Sequence, residues 1–100
     1  MAASARSVSF HPEARAELLS ATDWYLERSH TAAAEFSAEI DHALARIQEA
    51  PERYPETRHR RRRFVLLKFP FDLIYRIISQ HVEIIVVAHH SRRPGYWHAR

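Results

Sequence analysis

The sequence has no cysteine and only one glycine in 100 residues. Without cysteine there can be no disulfide framework and no thiolate metal site, which fits a reducing compartment. A single glycine excludes a glycine-rich phosphate loop, and turns with glycine at positive φ must be rare. No apolar run approaches the ~20 residues that span a bilayer, and residues 1–6 lack the apolar core of a signal peptide. The sequence therefore predicts a soluble, cytoplasmic protein.

What is present supports a folded chain. Apolar residues make up 46% of the sequence and include two Trp, five Phe and four Tyr, which argues against wholesale disorder. One hundred residues supply one modest hydrophobic core, so residues 1–100 are predicted to form a single domain. Residues 1–6 are predicted to be flexible.

Charge is unevenly distributed along the chain. The formal net charge is +3, yet residues 13–56 hold ten of the twelve acidic residues. Residues 58–68 hold six basic residues and no acidic one, and five of the six are arginines within positions 58–63. This separation predicts a cationic face for an anionic partner, either nucleic acid or an acidic protein.

The first half of the chain reads as one short strand followed by two helices. Ser7–Phe10 alternates polar and apolar residues, and Pro12 suits the first turn of a helix that ends near residues 28–30. Ser29 or Thr31 is suited to cap a second helix, which Pro51 ends. Apolar residues recur at helical spacing in both, so we expect an antiparallel helical hairpin. The predicted stripes are Ala14, Leu18, Ala21 and Tyr25, widened by Leu19, Trp24 and Leu26, and then Ala33, Phe36, Ile40, Leu44 and Ile47.

The second half changes to strand-like periodicity. Arg63–Phe69, Asp72–Ile78 and Val82–His89 are predicted strands, with Pro70 at the first junction and Ser79–His81 at the second. The last of them is apolar on both faces, so it is expected at the centre of the sheet. The predicted fold class is therefore α+β with the order β-α-α-β-β-β: a small, largely antiparallel sheet packed against an N-terminal helical hairpin.

An ordered series of short motifs between Val8 and Trp97 resembles the ParE/RelE superfamily of type II toxin–antitoxin toxins. The resemblance implies a growth-inhibiting toxin with a role in plasmid stabilisation, held by a cognate antitoxin protein in a hetero-oligomer. The motifs are Phe10-His11-Pro12-Glu13-Ala14, Glu17-Leu18, Asp23-Trp24-Tyr25, Phe36, Ile47, Pro51, Tyr54-Pro55, Phe69-Pro70-Phe71, Ile74-Tyr75-Arg76, and His89, Arg92, Pro94 and Trp97 at fixed spacing.

The RelE branch consists of ribosome-dependent mRNA endonucleases, and this resemblance implies one set of catalytic candidates. RNA cleavage needs cations for the phosphorane charge and an acid for the leaving oxygen. Arg63, Lys68 and Arg92 are the candidate cations, and Tyr96 is the candidate acid. However, Asp72 stands where those enzymes carry a further Arg, and a carboxylate there would repel the scissile phosphate.

The ParE branch implies a different mode of action, in which the toxin binds DNA gyrase and stops replication without being an enzyme. Asp72, the Tyr54-Pro55 loop and the tail from His89 to Trp97 favour this branch. The mRNA endonuclease remains the alternative, and a non-toxic relative that only pairs with an antitoxin-like regulator is a third possibility. The predicted partner-binding residues are Arg58, Arg60, Arg61, Arg62, Arg63, Arg92, Arg93 and Trp97.

The eight histidines do not form a metal motif. There is no His-Glu-x-x-His, and the neighbouring His89 and His90 point to opposite faces of a strand. His89 is expected to be packed or hydrogen-bonded, with general base as the less favoured role. No metal, no cofactor and no membrane association are predicted.

Overall fold

The computed structural model describes residues 6–100. Two helices and a four-stranded mixed sheet make up the fold, so the α+β prediction is confirmed. The expected flexibility of residues 1–5 falls outside the described residues, whereas Arg6 exchanges two hydrogen bonds with Gln48. The elements are β1 Ser7–Phe10, α1 Pro12–Arg28, α2 His30–Glu49, β2 Arg62–Val65, β3 Phe71–Ile78 and β4 His81–His89.

The helical hairpin forms as its capping residues predict. Pro12 occupies the first turn of α1, and the His11 ring accepts a hydrogen bond from the backbone of Glu13 at 3.1 Å. Ser29 alone separates the two helices, and its hydroxyl accepts from the Ala32 amide at 3.1 Å. This one-residue link makes α1 and α2 adjacent and antiparallel.

The strands lie in the order β1-β4-β3-β2, with β1 parallel to β4 and the other neighbours antiparallel. β4 is central, as its apolar residues on both faces predict. A β-bulge interrupts the pairing of β3 with β4, because Ile74 pairs with Val86 and Tyr75 with Ile84. The extra residue, Ile85, shifts the alternation of β4, so Ile85 and Val86 both pack on the side of the sheet away from the helices.

The helical hairpin covers one face of the sheet and forms the main core. Phe36 is fully buried, and its ring lies 5.2 Å from that of Phe69 and 5.3 Å from that of Phe71. Tyr75 is also fully buried and donates a hydrogen bond to Pro51 O, and burial raises its pKa to about 12. The predicted stripe of α2 is confirmed, whereas three residues expected to widen the stripe of α1 are exposed: Leu19 at 56%, Trp24 at 52% and Leu26 at 44%.

The predicted strand Arg63–Phe69 is wrong at its C-terminal end. β2 stops at Val65, and the segment that follows turns back toward β3. Glu39 of α2 accepts hydrogen bonds from the backbone amides of Leu67 and Lys68, which draws this segment out of the sheet. Leu67 is 94% exposed, so the apolar run there does not reflect a buried strand.

Candidate functional site

The five arginines of positions 58–63 lie in different environments. Arg58 and Arg60 are exposed, whereas Arg61, Arg62 and Arg63 are partly buried at the edge of the sheet. In the sequence the five arginines form one cationic block. In the structure their side chains differ in exposure and in hydrogen bonding.

Arg61 and Arg62 are tied to backbone carbonyls. Arg61 donates to His59 O and to Arg100 O, both at 2.7 Å. Arg62 donates to Glu52 O at 3.1 Å and to Tyr54 O at 2.8 Å. These bonds hold two loops against the sheet, and within the described residues 6–100 no side-chain carboxylate pairs with either guanidinium.

The loop that carries the exposed arginines has an unusual backbone. His59 and Arg60 have φ of 59° and 60°, in the left-handed region that non-glycine residues rarely adopt. Thr57 closes the loop, because its amide and hydroxyl bond to Arg61 O at 2.6 and 3.2 Å. Ser79 also has a positive φ, of 57°, so these turns reach the left-handed region without glycine, in agreement with the expected scarcity of glycine turns.

A cleft of about 310 Å³ lies between this loop and the tail of residues 90–100. We call it the arginine cleft. Every titratable side chain that lines it is basic, with three arginines and two histidines. The lining residues are Thr57, Arg58, His59, Arg61, Arg63, Pro94, Gly95, Trp97 and His98.

Arg63, a catalytic candidate of the endonuclease hypothesis, faces a carboxylate. Its Nε lies 3.4 Å from Asp72 Oδ2 without the alignment of a hydrogen bond. The other oxygen of Asp72 lies 2.8 Å from His90 Nε2. Asp72 thus offsets the Arg63 charge from the neighbouring strand.

Arg92 and Tyr96, two further candidates, lie beside α1 and not in the arginine cleft. The Arg92 guanidinium stacks 4.0 Å above the Tyr96 ring. Tyr96 OH donates to Glu17 Oε2 at 2.7 Å. Burial and this bond to a carboxylate raise the pKa of Tyr96 above its usual value, which makes the phenol a poor proton donor to a leaving group.

Glu17 also receives two hydrogen bonds from Arg100, at 2.9 and 3.0 Å. A fourth bond comes from the Val87 amide at 3.0 Å. Burial alone would raise the pKa of Glu17, but the bonds from Arg100, Tyr96 and Val87 and the Arg100 charge together hold it below its usual value. Glu17 is therefore an ionised anchor for the tail.

The same contacts protect an open edge of the sheet. β1 pairs with β4 only as far as Ile84, so within residues 6–100 the following residues of β4 pair with β3 on one side and have no strand on the other. Arg100 donates to Ile85 O at 3.0 Å, and Glu17 accepts from the Val87 amide. Side chains thus satisfy backbone groups that would otherwise invite strand pairing.

A second concave surface, of about 520 Å³, lies between α1 and the ends of β3 and β4. We call it the α1 groove. Trp24 forms part of its wall, with Arg28 stacked 3.7 Å above the indole, and Arg92 stands at its rim. The apolar residues among its lining are Ala21, Trp24, Tyr25, Pro70, Phe71 and Val87.

The four catalytic candidates do not share one site. Arg63 lines the arginine cleft, Arg92 lines the α1 groove, and Lys68 is exposed in the turn between β2 and β3. Only Arg92 and Tyr96 contact each other.

The two remaining residues of the predicted binding set belong to the tail. Arg93 is exposed, whereas Trp97 is only 8% exposed and packs on Ile74, Ile85, Val86 and Ala88. Trp97 anchors the tail on the sheet and offers a partner little surface.

His89 is half-buried at the end of β4, with its ring 5.0 Å from that of Phe71. Its Nδ1 lies 2.7 Å from Ser91 Oγ, so the residue is packed and hydrogen-bonded as predicted. Within residues 6–100, no group of three or more His, Cys, Asp or Glu residues could hold a metal ion. No helix in that range is long and apolar enough to cross a membrane.

Sequence reasoning missed Glu17, His90 and Arg100 as parts of this region. In the sequence, Glu17 stands out only as part of the motif Glu17-Leu18. Arg100 lies 83 residues from it along the chain. A buried-facing acid on an amphipathic helix was the available signal, because such a carboxylate needs a cation.

Comparison with known proteins identifies the family of the chain. The family model described as the ParE toxin of the type II toxin–antitoxin system parDE matches residues 8–94. Among solved structures, a chain of the chromosomal ParDE TA system from P. aeruginosa is similar, with a TM-score of 0.72 and 18% identity. The match covers 84% of this chain and 95% of that chain. No curated protein matches the chain in sequence.

Proposed function

Since the chain belongs to the ParE toxin family of type II toxin–antitoxin systems, we propose that it inhibits growth by binding DNA gyrase and is neutralised by a cognate antitoxin. The observation that carries the proposal is the family match over residues 8–94. The gyrase target comes from the resemblance of the sequence to the ParE branch, and the structure supports binding over RNA cleavage in two ways.

The first support is the dispersal of the catalytic candidates. Phosphoryl chemistry needs cations and a proton donor converging on one phosphate. Arg63 and Arg92 line separate clefts, and Asp72, 3.4 Å from Arg63, already offsets the charge that Arg63 would direct at a phosphorane.

The second support is the state of Tyr96. The Tyr96 hydroxyl already donates a hydrogen bond to Glu17, and the raised pKa of Tyr96 opposes proton transfer to a leaving oxygen. The hydroxyl instead fixes the tail to α1. A structural role of this kind suits a protein that works by presenting a surface.

The gyrase proposal can be tested by adding the purified toxin separately to a gyrase supercoiling assay and to a translating ribosome system. We expect loss of supercoiling and unchanged translation. Adding the protein encoded beside the toxin gene should restore supercoiling, which serves as the specificity control. Ribosome-dependent cleavage of mRNA with unaffected supercoiling would overturn the proposal in favour of the endonuclease.

We also propose that the antitoxin binds the α1 groove. The groove is apolar at its base, and Arg92 and Arg28 stand beside it, which suits an acidic amphipathic segment that folds on binding. Trp24 is 52% exposed and is the largest apolar side chain on this surface.

Trp24→Ala should therefore weaken capture of the toxin by the co-expressed antitoxin, with little change in toxin stability. Leu67→Ala is the matched control, because Leu67 is more exposed, at 94%, and lies on the turn between β2 and β3. If the antitoxin captured both variants equally well, it would have to bind a surface other than the α1 groove. A free monomeric toxin in the presence of its adjacent gene product would contradict the pairing itself.

A further inference from the structure

The arginine cleft has a composition that gyrase or antitoxin binding does not require. Arg58, Arg61 and Arg63 line it together with two histidines, and no carboxylate is among the lining residues. Because like charges repel, gathering three guanidinium groups around one small cleft is unfavourable unless an anion occupies it. We propose that the arginine cleft is a phosphate-binding site through which the toxin holds the backbone of a nucleic acid.

The positive charge in the cleft is incompletely compensated by the protein. Within residues 6–100, no side-chain carboxylate pairs with Arg58 or Arg61, and the bonds of Arg61 go to the main-chain oxygens of His59 and Arg100. Asp72 is the carboxylate beside the cleft, and it is shared between Arg63 and His90. A phosphate would supply the anion that the two unpaired guanidinium groups lack.

The loop is held ready to present these side chains. His59 and Arg60 remain in the left-handed region, which is sterically unfavourable for residues with a Cβ atom. Strain of this kind persists where the surrounding bonds over-determine it, and it concentrates at binding sites. Here Thr57 bonds twice to Arg61 O, so the turn that carries Arg58 is closed before any ligand arrives.

The chemistry of the cleft favours phosphate over an acidic peptide. The planar guanidinium fork donates two parallel hydrogen bonds to a phosphate, and three forks surround about 310 Å³. A peptide would also need apolar contact. The largest apolar side chain in the lining, Trp97, is 8% exposed and packed on the sheet, so it offers such a partner little surface.

The proposal can be tested by fluorescence anisotropy with the full-length toxin and a labelled DNA duplex, at several salt concentrations and without gyrase. Inorganic phosphate and a glutamate-rich peptide serve as competitors. We expect Arg58→Gln to weaken DNA binding several-fold and to reduce the slope of log K against log salt by about 1. Arg15→Gln is the matched control, since it removes the same charge from an exposed position on α1. Asp72→Asn should tighten binding, because it removes the carboxylate that opposes the ligand.

Each outcome decides the proposal. Displacement of DNA by millimolar phosphate, with amide shifts at residues 57–63 and 94–98 in NMR spectra, would support a phosphate site. The same amide shifts on addition of inorganic phosphate, without any DNA binding, would assign the site to a free phosphate and overturn the nucleic-acid part of the proposal. Equal losses for Arg58→Gln and Arg15→Gln would show non-specific attraction and overturn the proposal, and stronger competition by the peptide would do the same in favour of an acidic protein. Since gyrase is absent from this assay, a negative result would not bear on the proposal that the toxin binds gyrase.

Discussion

The two faces of the sheet are covered by different means. The face toward the helices is packed by large apolar and aromatic side chains from α1 and α2, and its core residues include Phe36, Leu73 and Tyr75 at 0% exposure. The opposite face is covered by the tail of residues 90–100, with Trp97 as its main apolar contact. One face resembles the interior of a domain, and the other is a single layer of chain.

The tail is held at its margins by charge. Glu17 binds Tyr96 and Arg100 at one side, and Asp72 binds His90 at the other. Apolar packing is cooperative and insensitive to pH, whereas charged contacts depend on ionisation and salt. The difference suggests that the helix face supplies stability and the tail face positions charges for binding.

The largest effect is expected from truncation on the helix face. Phe36→Ala should lower the free energy of unfolding by about 3–5 kcal/mol, and Ile40→Ala by about 2–5 kcal/mol, because each leaves a cavity against the sheet. Urea denaturation measures both. Leu26→Ala is the control, since Leu26 is 44% exposed on the same hairpin. A wild-type melting curve for both core variants would mean that α2 does not face the sheet as described.

Substitutions that loosen the tail should lower the free energy of unfolding by less, and the largest of these effects is expected at Glu17. Glu17→Gln should cost about 1.5–3 kcal/mol, the range for hydrogen bonds to a charged group. It should also speed hydrogen exchange at residues 96–100 and at Val87. Glu27→Gln provides the comparison, because Glu27 is exposed on the same helix. If the two variants are equally stable, the carboxylate does not hold the tail.

The pH dependence separates the two faces further. The pKa of Glu17 is lower in the folded protein than its ordinary 4.5, so its contribution to stability is present above that value. The contribution is lost as the pH falls through the lower folded value. Wild type should therefore lose more free energy of unfolding between pH 6 and pH 3 than Glu17→Gln does. Parallel losses would contradict an ionised anchor.

The smallest expected changes in stability are those of two neighbouring arginines, Arg60 and Arg61. Arg60→Gln should change stability by no more than about 0.5 kcal/mol, since the side chain is exposed. Arg61→Gln should cost about 0.5–1.5 kcal/mol, because it removes bonds to His59 O and Arg100 O. Thermal melting of both variants tests this, and identical curves would show that the bonds of Arg61 contribute nothing.

The fold was largely predictable because local signals agreed with the tertiary structure. Pro12, Ser29 and Pro51 mark the helix ends, and apolar residues at helical spacing identify the buried side of α2. β2 was predicted too long because the run Leu66-Leu67 looks buried in sequence. A carboxylate 28 residues away, Glu39, bonds the backbone there and ends the strand.

The site was predictable in composition but not in arrangement. The arginine block indicated a cationic surface. Nothing in the sequence distinguishes Arg58, whose side chain is exposed, from Arg62, whose side chain donates hydrogen bonds to two carbonyls. The Glu17–Arg100 pair depends on the path of the tail around the sheet. Contacts between such distant positions follow from the fold and leave no local pattern.

We propose that this toxin acts by binding and not by turnover, and a titration can distinguish the two. Toxin is added in increasing amounts to a fixed amount of gyrase, and supercoiling is measured, with ribosome-bound mRNA assayed in parallel. We expect inhibition to grow in proportion to toxin and to be complete only when toxin is at least equimolar with gyrase, with mRNA intact throughout. Cleavage of mRNA by a small molar fraction of toxin, with supercoiling unaffected, would contradict the account.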